Sequence, residues 1–162
     1  MKAILIILVG FLLLACVLLT ALSCTARPPK AGLLAGRLRP CPGKPNCICS
    51  EDRKTDAWVE PLTFQGPPTR AWERLKAALQ EMGGTIQRQS DAYIWATFST
   101  KVFRFVDDVE FRMVAEENTI HVRSASRVGY SDLGLNKRRM EELRSRLYEG
   151  MNDQNVNERD PG

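Results

Sequence analysis

Between residues 85 and 128 apolar and polar positions alternate in four runs, 85–89, 92–100, 103–115 and 119–128, the period of half-buried strands. Upstream, "PPTRAWERLKAALQEMGG" (67–84) sets Trp72, Leu75, Leu79 and Met82 at helical spacing, with prolines at its start and Gly83-Gly84 as its stop. The stretch 57–64 reads as a short strand, and Pro61 within it assigns it to a sheet edge. After the last strand, Ser131 or Asp132 can cap a helix whose inner stripe is Leu133, Asn136, Met140, Leu143 and Leu147. The order βαββββα predicts an α+β fold, a two-layer sandwich of about five antiparallel strands with two helices on one face. Residues 150–162, "GMNDQNVNERDPG", have nothing to bury and are expected to be disordered.

The N-terminus has another pattern. Ala3 through Ser23 is uncharged and overwhelmingly aliphatic, long enough as a helix to span roughly 30 Å of hydrocarbon. It reads as an uncleaved anchor or as a secretory signal. "ALSC" (21–24) resembles a bacterial lipobox, with Ala21 where leucine is usual, and makes Cys24 a lipidation candidate; "LLAC", ending at Cys16, is a second match. Either way residues 1–24 deliver the rest of the chain to a membrane. Residues 25–40, "TARPPKAGLLAGRLRP", carry prolines and glycines without helical or strand period and read as an extended linker. The globular domain is then expected over 41–149.

Locating the charge changes its meaning. The formal net charge is +4, yet residues 1–50 hold Lys2, Arg27, Lys30, Arg37, Arg39 and Lys44 and no acid, so the remainder of the chain is net −2. A near-neutral domain is not an electrostatic phosphate binder, which argues against nucleic acid as a partner. The basic excess lies beside the membrane segment, where anionic head groups attract each charge by about 1 kcal/mol. Arg27, Lys30, Arg37 and Arg39 would by the positive-inside tendency keep that side of an uncleaved helix in the cytoplasm. The cysteines point the other way: Cys41 and Cys47 flank Pro42, Gly43 and Pro45, a loop suited to a disulfide outside the cytoplasm. A rival use of Cys41, Cys47, Cys49 and His121 as zinc ligands does not match the common spacings.

The strand "RFVDDVEFR" (104–112) places Asp107, Asp108 and Glu110 close to the arginines of "VRSASRVGYSDLGLNKRR". A hairpin turning at Glu117-Asn118 pairs Phe111 with Ser124, Met113 with Val122 and Ala115 with Ile120 on one face. On the other it pairs Asp108 with Arg127, Arg112 with Arg123 and Glu110 with Ala125, leaving Glu110 diagonal to Arg123 and Arg127. That face is expected to be an exposed grid of complementary charge, with Tyr93 and Trp95 adding aromatic area to it or to the core. Asp107 points inward and needs donors; Tyr130, Ser131, the N–H groups opening the last helix and Asn136 are nearest. They either staple that helix to the sheet or floor a small polar pocket.

"CPGKPNC", "FRFVDDVEFR" and "VRSASRVGYSDLGLNKRRMEELR" resemble the bacterial and plastid family called domain of unknown function 1499, over about residues 40–147. The resemblance implies an exported or membrane-attached domain and carries no catalytic residues; Cys49 stands where the family often has serine. The chain lacks a Gly-rich phosphate loop and a G-x-S-x-G elbow, and His121 is its one histidine. Together these lead to a non-catalytic binding or scaffolding module at the cell envelope, on the extracytoplasmic side. It would hold membrane lipid through its N-terminus and meet an unknown envelope protein, lipid or polymer, with no cofactor, metal or nucleic acid. The alternatives are a small envelope hydrolase using Asp107, Asp108 and Glu110, or a Cys/His zinc module.

Overall fold

The computed structural model describes residues 1–26, 31–100 and 103–157, without the side chains of 22, 24 and 149–157. Its elements are α1 (Lys2–Thr25), β1 (Cys47–Cys49), β2 (Leu62–Thr63), α2 (Pro68–Glu81), β3 (Thr85–Gln89), β4 (Tyr93–Ser99), β5 (Val106–Val114), β6 (Thr119–Ser126) and α3 (Leu135–Asn157). The fold is α+β. One antiparallel sheet runs β1-β6-β5-β4-β3, with β2 also paired to β6. β1 and β2 share one edge of β6, β1 against Arg123 to Ala125 and β2 against Thr119 and Ile120. The strand expected over 57–64 is thus reduced to β2, because Pro61 cannot donate to a ladder. β1, only three residues long, carries too little alternation to be legible.

The inner sheet face and the apolar stripes of α2 and α3 form the core: Leu75, Leu79, Ile94, Val109, Phe111, Val122, Met140 and Leu143 are fully buried. Pro68 opens α2, where its missing N–H costs nothing. Gly83 at φ 82° reverses the chain after it. A Cβ on Gly84 would lie 2.7 Å from the Phe98 ring and 2.8 Å from the Leu79 carbonyl, so only glycine lets β3 enter this closely.

The β5–β6 hairpin keeps the expected faces but not the expected pairs. Phe111 faces Val122, Met113 faces Ile120, Glu110 faces Arg123, Asp108 faces Ala125 and Arg112 faces His121. The ladder has moved by one pleat repeat. A two-residue turn at Glu117-Asn118 would need positive φ at Glu117, in type I′ at both positions and in type II′ at the first; only Asn118 has it, at 49°, and it closes a 3-10 turn over Ala115–Glu117 instead. Because side-chain direction repeats every two residues, this shift leaves each residue on its predicted side.

Two boundaries differ from expectation. α3 continues to Asn157, past the end expected at 149, while 158–162 lie outside the described residues. Leu133, assigned to the inner stripe, precedes the helix with φ 54° and is 84% exposed. Asp132 ends the loop there: its carboxylate accepts the N–H groups of Gly134 at 3.0 Å and Asn136 at 2.7 Å, an N-terminal cap that fixes where α3 can begin.

Candidate functional site

β5 carries carboxylates on both of its faces, and each face solves the problem of burying them separately. On the inner face Asp107 accepts from the Arg139 guanidinium and the Ser126 hydroxyl, both at 2.5 Å. Arg139 also donates to Asn136 Oδ1 at 2.7 Å and Ser124 Oγ at 3.3 Å, and stacks 4.6 Å from the centre of the Phe98 ring. Asn136 Nδ2 donates to the Asn46 carbonyl at 3.1 Å and to Ser126 Oγ at 3.2 Å. This network ties α3 to the sheet and brings Asp107 and Asn136 together through Ser126 and Arg139. Tyr130 and Ser131 are not in it. Tyr130 is 73% exposed, and Ser131 Oγ accepts from the N–H of Leu133. The polar pocket expected to join all four does not form, because Arg139, one turn into α3, reaches Asp107 first. Its position three residues after Asn136 was the signal in the sequence.

The outer face is buried as well. Glu110 accepts from Arg123 Nη1 at 3.1 Å, the Tyr93 hydroxyl at 2.5 Å and the Gly32 N–H at 2.9 Å. Asp108 receives a two-pronged guanidinium from Arg127, at 2.7 and 2.8 Å, and the Trp95 indole N–H at 2.9 Å. Asp108 and Glu110 have no exposed surface, and Arg123 has very little. Burial, then the adjacent Glu110, pushes the Tyr93 phenol far above its ordinary value, so it stays a donor. Hydrogen bonding to Asp108 raises the Arg127 guanidinium in turn.

The expectation of an exposed charged grid is therefore corrected. Its cover is residues 31–40, part of the stretch expected to be an extended linker. They fold back on themselves through a bridge between Leu34 and Arg37 and lie against the outer face. Gly32 reaches Glu110, and the Leu38 N–H donates to Glu51 Oε2 at 2.6 Å. The Leu38 side chain packs with Cys49 and Tyr93 against Cys41 and Trp95. The physical reason is that this face offers apolar surface and acceptors the sheet alone cannot satisfy. Proline and glycine content removes regular structure from the segment without preventing it from docking.

At the edge of this cover an open pocket of about 420 Å³ is lined by Arg37, Ser50, Glu51, Arg53, Arg112, Glu117 and His121. Glu51 accepts from Arg112 Nη2 at 2.7 Å and from Arg37 Nε at 3.2 Å. Burial works to raise the Glu51 carboxyl, but the bonds from Arg112 and Leu38 and the neighbouring positive charge prevail and hold it below the usual range. His121 is pushed down by burial. Ser50 Oγ accepts the Val122 N–H at 2.9 Å and lies 3.1 Å from His121 Nδ1.

Cys41 and Cys47 are joined in a disulfide with Cα atoms 5.7 Å apart. In this form the zinc set of Cys41, Cys47, Cys49 and His121 loses two of its sulfurs. Among the described residues no cluster of three His, Cys, Asp or Glu side chains is arranged to hold a metal. Cys49 is a buried thiol whose acidity is suppressed by that burial, so little thiolate is present at neutral pH. The side chain of Cys24, the lipidation candidate, lies outside the described residues.

A protein-family model described as "Protein of unknown function (DUF1499)" matches residues 37–147. The chain belongs to the DUF1499 family. The match begins within the covering segment and ends in α3, so the DUF1499 region includes Arg37 and Leu38 together with all of the paired carboxylates. Among curated proteins, none matches the chain significantly. α1 contains a span, Lys2–Ala21, long and apolar enough to cross a membrane, the composition of an anchor or a signal.

Proposed function

We propose that this DUF1499 protein is a membrane-attached, extracytoplasmic, non-catalytic binding module of the cell envelope. The observation that carries the reading is the state of the acidic strand: Asp107, Asp108 and Glu110 each accept from a guanidinium and from a hydroxyl or an aromatic N–H. Groups held this way suit permanent structure rather than proton transfer, which needs a carboxyl poised between its two forms. The disulfide agrees with an oxidising compartment, and α1 with delivery to a membrane.

The surface best suited to docking is the open pocket at the rim of the cover. Arg37 and Arg112 share Glu51, while Arg53 is exposed and His121 lines the same pocket. An acidic segment of a neighbouring envelope protein fits this balance. A photo-reactive side chain at Glu117, carried by the full-length protein in intact membranes, is expected to cross-link a neighbour, and Arg53→Glu is expected to abolish the adduct. An adduct unaffected by Arg53→Glu and reproduced from Tyr148, on the exposed side of α3, would count against this docking surface.

A further inference from the structure

One end of the sheet gathers exposed apolar and basic groups that the rim pocket does not involve. The registers put the end of β4, the start of β5, the end of β6 and the start of β1 side by side. Three connections therefore emerge together: the β4–β5 turn with Phe103, Arg104 and Phe105, the loop 127–134, and the disulfide loop ahead of β1. The last turn of α1 meets this same end, where Ser23 Oγ donates to the Arg104 carbonyl. With Gly32 fixed on the sheet, the chain from Thr25 onward is too short to carry the domain more than about 25 Å from the end of α1.

Loop 127–134 holds two large apolar side chains outward. Tyr130 is 73% and Leu133 84% exposed. Neither is a loose end: Asn46 Nδ2 fixes the Gly129 carbonyl, Ser131 Oγ accepts the Leu133 N–H and Arg138 Nη1 donates to the Leu133 carbonyl. Leu133 is held at φ 54°, a conformation that leucine disfavours. Around these side chains Lys44, Arg104, Lys137 and Arg138 are exposed. Tyr130, Lys44 and Lys137 line one cleft together with Asp52, Asp56 and Asp132, whose carboxylates offset the two lysines, so the positive excess at this end comes from Arg104 and Arg138.

We infer that this end of the domain is a bilayer-docking face, on which Tyr130 and Leu133 enter the head-group region of the membrane that holds α1 while the surrounding lysines and arginines meet anionic lipid. The inference rests on the membrane-attached reading above and deepens it: the domain lies on the bilayer instead of hanging from it. An aromatic and an aliphatic side chain ringed by cations is the chemistry of an interfacial anchor. Ser23 holds this end only in the uncleaved helix; with a lipidated Cys24, where the chain before the cysteine is removed, the short span from Cys24 to Gly32 alone keeps the domain at the bilayer.

The test uses the full-length protein reconstituted in vesicles of phosphatidylglycerol and phosphatidylcholine, with lipids brominated near the head group as quencher. Leu133→Trp reports from the docking face, and Tyr148→Trp, more than three helical turns along α3, reports from outside it. The emission added by Leu133→Trp is expected to be largely quenched and that added by Tyr148→Trp to be unaffected. Lys44→Glu combined with Lys137→Glu is expected to restore most of the Leu133→Trp emission. Equal emission from the two positions in protein that floats with the vesicles would overturn the docking face alone. Protein that fails to float would overturn membrane attachment and the docking face together.

Discussion

Asp107 and Glu110 sit on opposite faces of one strand, and each is tied to a guanidinium from another element. Removing one partner of such a pair leaves a buried charge, at a cost of about 3–5 kcal/mol. Arg139→Ala is therefore expected to lower stability by that order in urea unfolding of the full-length protein in detergent. Asp107→Leu combined with Arg139→Met should recover most of the loss, since the pair itself contributes little once both charges are gone. His121 makes a pH-dependent counterpart. Burial lowers its folded-state value, so the unfolded chain binds the proton first as pH falls. Its contribution is complete above about pH 6.5, the ordinary imidazole value, and is lost as pH falls toward the depressed folded value. The midpoint of thermal unfolding should fall across that window, and His121→Asn should flatten the dependence there.

At the scale of elements, the covering segment matters most. Leu38 fills the space between Cys49, Tyr93 and Trp95, and Leu38→Ala is expected to cost about 2 kcal/mol, at the low end for a buried leucine because the site lies at the edge of the fold. Deleting 31–38 should expose that apolar patch to a fluorescent hydrophobic dye while the far-UV signal of the sheet persists. Dye binding no greater than wild type would show that the segment does not shield the face. Sequence patterning made the helices and the four central strands legible because period carries that information. It also made the two faces of the β5–β6 hairpin legible, since parity survives a slip of two residues. The pairing itself was not legible, for it depends on Asn118 alone accepting positive φ. Nor was the role of residues 31–40, since an aperiodic segment docks through backbone N–H groups and one leucine, and neither leaves a periodic trace. Arg139 was readable as a neighbour of Asn136 but is indistinguishable by type from the exposed arginines around it.

For the whole molecule the compartment is the decisive question, and the cysteines report on it. If the domain is extracytoplasmic, protein quenched in acid from growing cells should bind two more maleimides after reduction than before, at Cys41 and Cys47. An unchanged count would place the domain in a reducing compartment. Removing the disulfide by Cys41→Ser with Cys47→Ser should cost about 2 kcal/mol, the entropy of a short loop, without releasing α3 or the central strands.

That disulfide also decides what happens when the protein is pulled. A force transmitted from the bilayer along the chain meets residues 31–40 before any strand, and these can peel from the sheet to give up about 30 Å of slack. The next point of resistance is Cys41, covalently joined to β1 at Cys47. Tension would thus first uncover Glu110 and the surface under Leu38, and the load would then enter the sheet at Cys47, bypassing the loop 42–46, where the pairing of β1 with β6 carries it.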